Sequence, residues 1–158
     1  MTDTTGGDVP RSVGHVHLKV RTLEPAVEFY TSLFDLEVAE RHARFAFLSW
    51  GERHHDVALQ AVGADAPGPS PGVGLYHVAF EVPDAEALAS LYDRLLERGT
   101  DVSPVDHGIS KALYFDDPAG NGVEAYVDTR ESYDRSEWRG RNDYFDPHRL
   151  VERSDDAE

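Results

Sequence analysis

A chain of 158 residues, 40% of them hydrophobic, is long enough to bury one substantial core and most simply forms one domain. It has no cysteine, which excludes disulfides, thiolate metal sites and cysteine nucleophiles. Thirty acidic residues against fifteen basic ones give a net charge of −15, which argues against nucleic acid or an anionic membrane as a partner, since both need a basic surface.

Thirteen of the bases are arginine, and Lys19 and Lys111 are the two lysines. Such a surface suits high salt, where self-repulsion is screened, so the charge describes a halophilic medium rather than the chemistry. The first residues, MTDTTGGDVPRS, are polar and lack the apolar core of a signal peptide. No run is long enough to cross a membrane, and a soluble cytoplasmic protein is expected.

After about eleven polar residues, Val13–Val20 reads VGHVHLKV. The alternation predicts a strand with His15, His17 and Lys19 on one face and Val16, Leu18 and Val20 on the other. Thr22 is placed to cap a helix and Pro25 fits its first turn. From Glu24 to Phe34, Val27, Tyr30 and Phe34 recur at helical spacing, which predicts an amphipathic helix packed on a sheet. Short strands are expected at Glu37–Glu40 and Arg44–Trp50, and a fourth at His55–Val62. Ala64–Gly72, ADAPGPSPG, reads as a linker.

The order then repeats. Gly74–Val82, GLYHVAFEV, aligns with the first strand as H-V-x-(L/F)-x-V, and His77 lies 62 residues after His15. Asp84 caps a second helix carrying Leu88, Leu91 and Leu95, which Gly99 stops. Strands follow near Val102, at Lys111–Phe115 and at Gly122–Val127, with Asp116–Gly122 as a tight turn. Each half reads β-α-β-β-β, and two such halves are needed to close one core. The boundaries are a first module at about 12–63, a linker at 64–73, a second module at about 74–128 and a polar tail at 129–158. Tyr133, Trp138, Tyr144 and Phe145 in the tail are placed to dock on the body or on a second subunit. The last residues, ERSDDAE, read as disordered.

His15 and His77 occupy equivalent places and are expected to meet at one site between the halves. Gly122, Glu124 and Tyr126 face the same way. Two imidazoles and a carboxylate form the facial triad that leaves open positions on a divalent metal, as in non-haem iron(II) oxygenases. Read from the residues alone, the alternative stays open that the histidines are satisfied sheet residues and Glu124 is solvated. His17 stands beside His15 as an alternative ligand.

The segments GHVHLKV, HHDVALQ, GLYHVAFEV and DHGISKALYFDDPAGNGVEAY resemble the vicinal oxygen chelate superfamily, and within it the extradiol catechol dioxygenases. The likeness runs from about Val13 to Arg130, and the chain is most similar to the amino-terminal half of a two-domain catechol dioxygenase. It implies an α+β fold in which two βαβββ modules form a curved eight-stranded mixed sheet around a metal-binding cleft, with helices outside. It implies iron(II), or manganese(II) or another divalent metal, on His15, His77 and Glu124. His55 would be the acid/base histidine, His107 a substrate-side histidine and Tyr114 the tyrosine beside the bound catechol oxygen. The implied reaction is ring opening of a catechol-type diol with O2, and a homodimer is expected. The rival readings are a glyoxalase I-like lyase, a fosfomycin-type thiol transferase and a metal-free, bleomycin-resistance-like protein that binds aromatic drugs.

Overall fold

The structure is a computed structural model that describes residues 9–10, 12–134 and 136–155. Its first module runs β1 (Val16–Val20), α1 (Leu23–Phe34), β2 (Glu37–His42), β3 (Phe45–Ser49) and β4 (Val57–Ala61). The second runs β5 (Val78–Glu81), α2 (Ala85–Glu97), β6 (Ser103–Asp106), β7 (Ser110–Asp116) and β8 (Gly122–Asp128). Each module is a four-stranded mixed sheet with one strand order, β1-β4-β3-β2 and β5-β8-β7-β6. In both, the first and last strands pair in parallel and the rest antiparallel. The expected α+β fold of two βαβββ modules is therefore what the chain forms, as two open sheets rather than a closed barrel.

Register makes the repeat exact enough to use. His17 lies opposite Ala58 across β1 and β4, and Ala79 lies opposite Glu124 across β5 and β8. His17 and Ala79 each stand two residues after the matching histidine, so Ala58 is the first-module counterpart of Glu124.

The helices follow from their apolar stripes. In α1, Leu23, Ala26, Phe29, Tyr30 and Leu33 are buried, and Asp35 ends the helix in the left-handed region at φ 55°. Thr22 stands at the N-cap position, but its side chain makes no capping bond. Asp84 does cap α2, accepting from the Ala87 N–H at 2.8 Å. Gly99 follows α2 with φ 70°, a conformation that costs glycine little.

Helix α1 joins the modules. Phe34 stacks on Phe80 of β5 with ring centres 4.1 Å apart, and Phe29 reaches Phe115 of β7. The fully buried Tyr30 donates its O–H to the Asp117 carboxylate at 2.9 Å. Arg21, just past β1, donates to the carbonyls of Ala66 in the linker and Ala119 in the turn before β8. The two sheets thus share one apolar core.

The tail is more ordered than its composition suggests. Asp143 pairs its backbone with Asp106 at the end of β6. A third helix, α3 (His148–Asp155), packs on α2, with His148 bonded to Asp93 at 2.7 Å. Of ERSDDAE, expected to be disordered, residues 152–155 belong to this helix, and residues 156–158 lie outside the described residues. Among the described residues no helix is long and apolar enough to cross a membrane.

Because the core is continuous, damage on one side of the junction weakens both modules. Phe80→Ala should lower unfolding stability by about 3–5 kcal/mol in a urea titration, with both sheets lost in one transition.

Candidate functional site

The site grows from β8, an inner strand of its sheet. Glu124 lies between Ala79 of β5 and Tyr114 of β7, and is 8% exposed. A carboxylate so far out of water must be paired or hydrogen-bonded. Tyr114, directly opposite on β7, donates its O–H to Glu124 Oε1 at 3.1 Å. His77, just ahead of β5, brings Nε2 to 2.9 Å from Glu124 Oε2. The carboxylate is therefore held from both sides.

Gly122 makes that placement possible. A Cβ at this position would stand 2.4 Å from the Tyr76 carbonyl oxygen and 3.4 Å from His77 Cβ. The backbone ahead of β5 thus rests against β8, and this close approach sets where His77 sits.

The chain of bonds continues outward. His107, in the β6–β7 turn, brings Nε2 to 2.8 Å from the Tyr114 oxygen, and its Nδ1 lies 3.1 Å from the Arg141 carbonyl. Burial, with the Glu124 charge beside it, pushes the Tyr114 phenol well above its ordinary pKa, so the group stays a neutral donor. His77, His107 and Tyr114 line an open cavity of about 750 Å³ together with Tyr76, Trp138 and Asn142.

His15 and His55 lie on the first module. Their rings are 4.4 Å apart, and Phe47 packs on His55 at 5.0 Å. Strict alternation from His55 would have turned it away from Glu124's counterpart. The strand begins only at Val57, so His55 precedes the ladder and is free of that constraint. Burial and the neighbouring His15 and His54 pull its pKa below the ordinary imidazole value.

The structure therefore forms two groups, His77–Glu124–Tyr114–His107 and His15–His55. It does not bring His15 onto His77 and Glu124. Among the described residues no three His, Cys, Asp or Glu side chains of one chain are grouped to hold a metal ion. Strand β1 meets the second module at its far end, where Asn121 Nδ2 donates to the Lys19 carbonyl at 2.9 Å. That point is four residues, or about 13 Å of strand, beyond His15.

The donor set of the second module still suits a divalent ion. Two neighbouring ligands at about 2.1 Å from a six-coordinate ion stand about 3 Å apart, which is the His77–Glu124 spacing. The buried His77 Nδ1 has no hydrogen-bond partner among the described residues, an unsatisfied atom of the kind found at functional sites.

Sequence reasoning missed Tyr76, Asn142 and the Arg141 carbonyl as parts of this site. Tyr76 adjoins His77, which was a signal. A backbone carbonyl in a polar tail offers none.

Comparison with known proteins agrees with the fold and the motifs. Catechol-2,3-dioxygenase of Bacillus subtilis (strain 168) is 34% identical over 121 residues, covering 76% of this chain and 42% of that protein. Biphenyl-2,3-diol 1,2-dioxygenase 3 of Rhodococcus globerulus is 34% identical over 119 residues, covering 73% of this chain and 63% of that protein. The chain thus spans roughly half the length of these relatives. The solved integron cassette protein HFX_CASS4, from the mobile metagenome of the Halifax Harbour sewage outfall, superposes with a TM-score of 0.60. It is 25% identical, with 75% of this chain and 99% of that one covered.

Gly122→Ala tests the close approach on which His77 depends. It should push the Tyr76–His77 backbone away from β8, and the expected result is loss of the His77–Glu124 contact in a crystal structure with the fold retained. An unmoved His77 would show that the approach is not what places it.

The sequence profile of the Glyoxalase/Bleomycin resistance protein/Dioxygenase superfamily matches residues 12–125, both modules entire but for the end of β8, and the chain belongs to that superfamily.

Proposed function

We propose that this chain carries an extradiol-type dioxygenase site that opens catechol-type aromatic diols with O2. Its metal is iron(II), with manganese(II) or another divalent ion as the substitute that the same ligands accept. The observation that supports this most is the polar chain from Glu124 through Tyr114 to His107, whose last two members line the cavity together with His77. The residues that would hold the metal are His15, His77 and Glu124. When bound, the metal supplies electron transfer between the diol and O2.

The chain's own groups do the rest. Tyr114 keeps its proton, donates it in a hydrogen bond to Glu124, and leaves its oxygen lone pair to accept from a diol hydroxyl in the cavity. His107 Nε2, 2.8 Å from the Tyr114 oxygen, is placed to exchange a proton with the substrate's hydroxyls. His55, neutral because its pKa is lowered, is the acid/base group contributed by the first module. A lyase site that takes a carboxylate from each module is disfavoured, because Ala58 occupies the position matching Glu124.

A second copy completes the ligand set in this reading. The first module presents His15 and His17 on an exposed face, and all of β2 is exposed. Tyr76, beside His77, is 87% exposed. In a twofold dimer, the His15 group of one copy can meet the His77–Glu124 group of the other.

Ring cleavage is the direct test. Protein purified in high salt, loaded with iron(II) without air and given catechol and O2 should form a yellow product. His77→Ala should lower the rate by more than about 100-fold, since even residues behind the metal ligands are worth 10–100-fold. Full metal occupancy without ring cleavage would refute the assigned reaction.

Complementation tests the shared site. His15→Ala and His77→Ala should each be inactive alone. Mixed and re-equilibrated, they should regain about a quarter of wild-type activity, because half the dimers are mixed and each of those has one intact site. No recovery from a mixture shown to contain mixed dimers would place the site within one chain.

A further inference from the structure

We infer that the C-terminal segment Trp138–Asp143 is the positioning element of the site, and that it acts by setting which nitrogen of His107 carries the proton. The segment lies beyond both modules, so neither the repeat nor the superfamily match at residues 12–125 includes it. It nevertheless closes one side of the cavity, through Trp138 and Asn142.

The bonds define the effect. The Arg141 carbonyl can only accept, so the nitrogen 3.1 Å from it, His107 Nδ1, must carry a hydrogen. In the neutral imidazole Nε2 is then the acceptor, facing the Tyr114 oxygen at 2.8 Å. Tyr114 has one hydrogen and two partners, His107 Nε2 and Glu124 Oε1. Every contact is satisfied at once when His107 holds a second proton at Nε2 and Tyr114 donates to Glu124. The carbonyl thus keeps Nε2 as the nitrogen that exchanges a proton on the cavity side. Without it, the other tautomer would place a fixed hydrogen at Nε2 and send the exchangeable position away from the cavity.

The carbonyl is itself held in place. The Trp138 indole N–H donates to it at 2.7 Å. The Arg141 side chain reaches back to Asp106 Oδ2 at 2.9 Å and to Asp143 Oδ2 at 2.8 Å. Asp106 is buried, and it also accepts from Lys111 Nζ at 2.6 Å and the Gly108 N–H at 2.7 Å. Backbone bonds in both directions between Asp106 and Asp143 complete the clamp. The residue adjoining His107 in sequence is therefore the anchor for the segment that orients it. Trp138 sets its ring edge-on to His107 at 6.2 Å, and half of the residue stays exposed.

The tautomer can be read in the metal-free protein, so its test is independent of the reaction. The catalytic consequence alone rests on the ring-cleavage reading. Side-chain nitrogen NMR at about pH 8.5, where an ordinary imidazole is neutral, distinguishes protonated from bare ring nitrogens. The His107 signals are identified by their loss in His107→Gln. The expected wild-type result is a protonated Nδ1. Arg141→Ala, which removes the anchor to Asp106, should shift Nδ1 toward the bare position as the tautomers mix. Arg141→Lys should restore it in part. Trp138→Phe, which keeps the ring and removes the N–H, should give a smaller shift in the same direction and guards against an Arg141→Ala protein that fails to fold. A bare Nδ1 in the wild-type protein would overturn the inference, as would a protonated Nδ1 unmoved in both folded variants. In the ring-cleavage assay Arg141→Ala should lower kcat about tenfold with little change in KM. A tautomer shift without any kcat effect would confirm the positioning and count against the proposed reaction.

Discussion

The site depends on a carboxylate that the sheet removes from water. Glu124 is placed by its register in β8, with β5 on one side and β7 on the other, so a neighbour must meet each oxygen. Burying an unpaired carboxylate costs several kcal/mol, more than most single contacts contribute to a fold. Here Tyr114 and His77 meet that demand, one from β7 and the other from the segment just ahead of β5, the two strands that pair with β8. The same two contacts that make the burial tolerable also build a polar wall facing an open cavity. Stability and chemistry draw on one set of hydrogen bonds, which is why this part of the molecule cannot be read as packing alone.

The two modules share a topology and differ in chemistry. Each has the same strand order, and the paired registers match residue for residue. Yet the second module has Glu124 where the first has the buried Ala58. Equivalent backbones thus carry one acidic half-site and one purely histidine half-site. In the proposed reading a three-ligand set takes one of each, so a repeat built from two copies of one motif would form a single kind of site rather than two.

Much of the fold could be read from the chain. Alternation in Val16–Val20 and Val78–Glu81, the leucines of α2 and the Asp84 cap are local signals with local causes, and they appear where the pattern places them. The errors lie where nonlocal contacts decide. The strand that the pattern begins at His55 starts two residues later, because the pairing with β1 and β3, not the residue's own preference, sets the boundary. The tail gave the weakest signal. Its residues are charged, and its order comes from Asp106, Lys111 and Arg141 meeting across the fold rather than from any periodic apolar face. At the site, the identities of Glu124, His77, Tyr114 and His107 were legible as motif residues. That His107 is oriented by a backbone carbonyl 34 positions away was not, since a carbonyl has no sequence signature.

The charge of the chain bears on this arrangement through screening. Exposed pairs such as Arg98–Glu28 and Arg130–Asp128 stand in water, where salt of the concentration that suits an acidic surface reduces their attraction to little. The pairs at Asp106 are different. Lys111 and Asp106 are almost wholly buried, and the Arg141 guanidinium closes over the same carboxylate. Counter-ions reach such pairs poorly, so their interaction survives where the surface pairs fade. With Lys19 exposed, Lys111 is the chain's one buried lysine, and it sits under the tail. The segment that orients His107 is then held by charges that added salt does not screen, in a chain with fifteen more acids than bases.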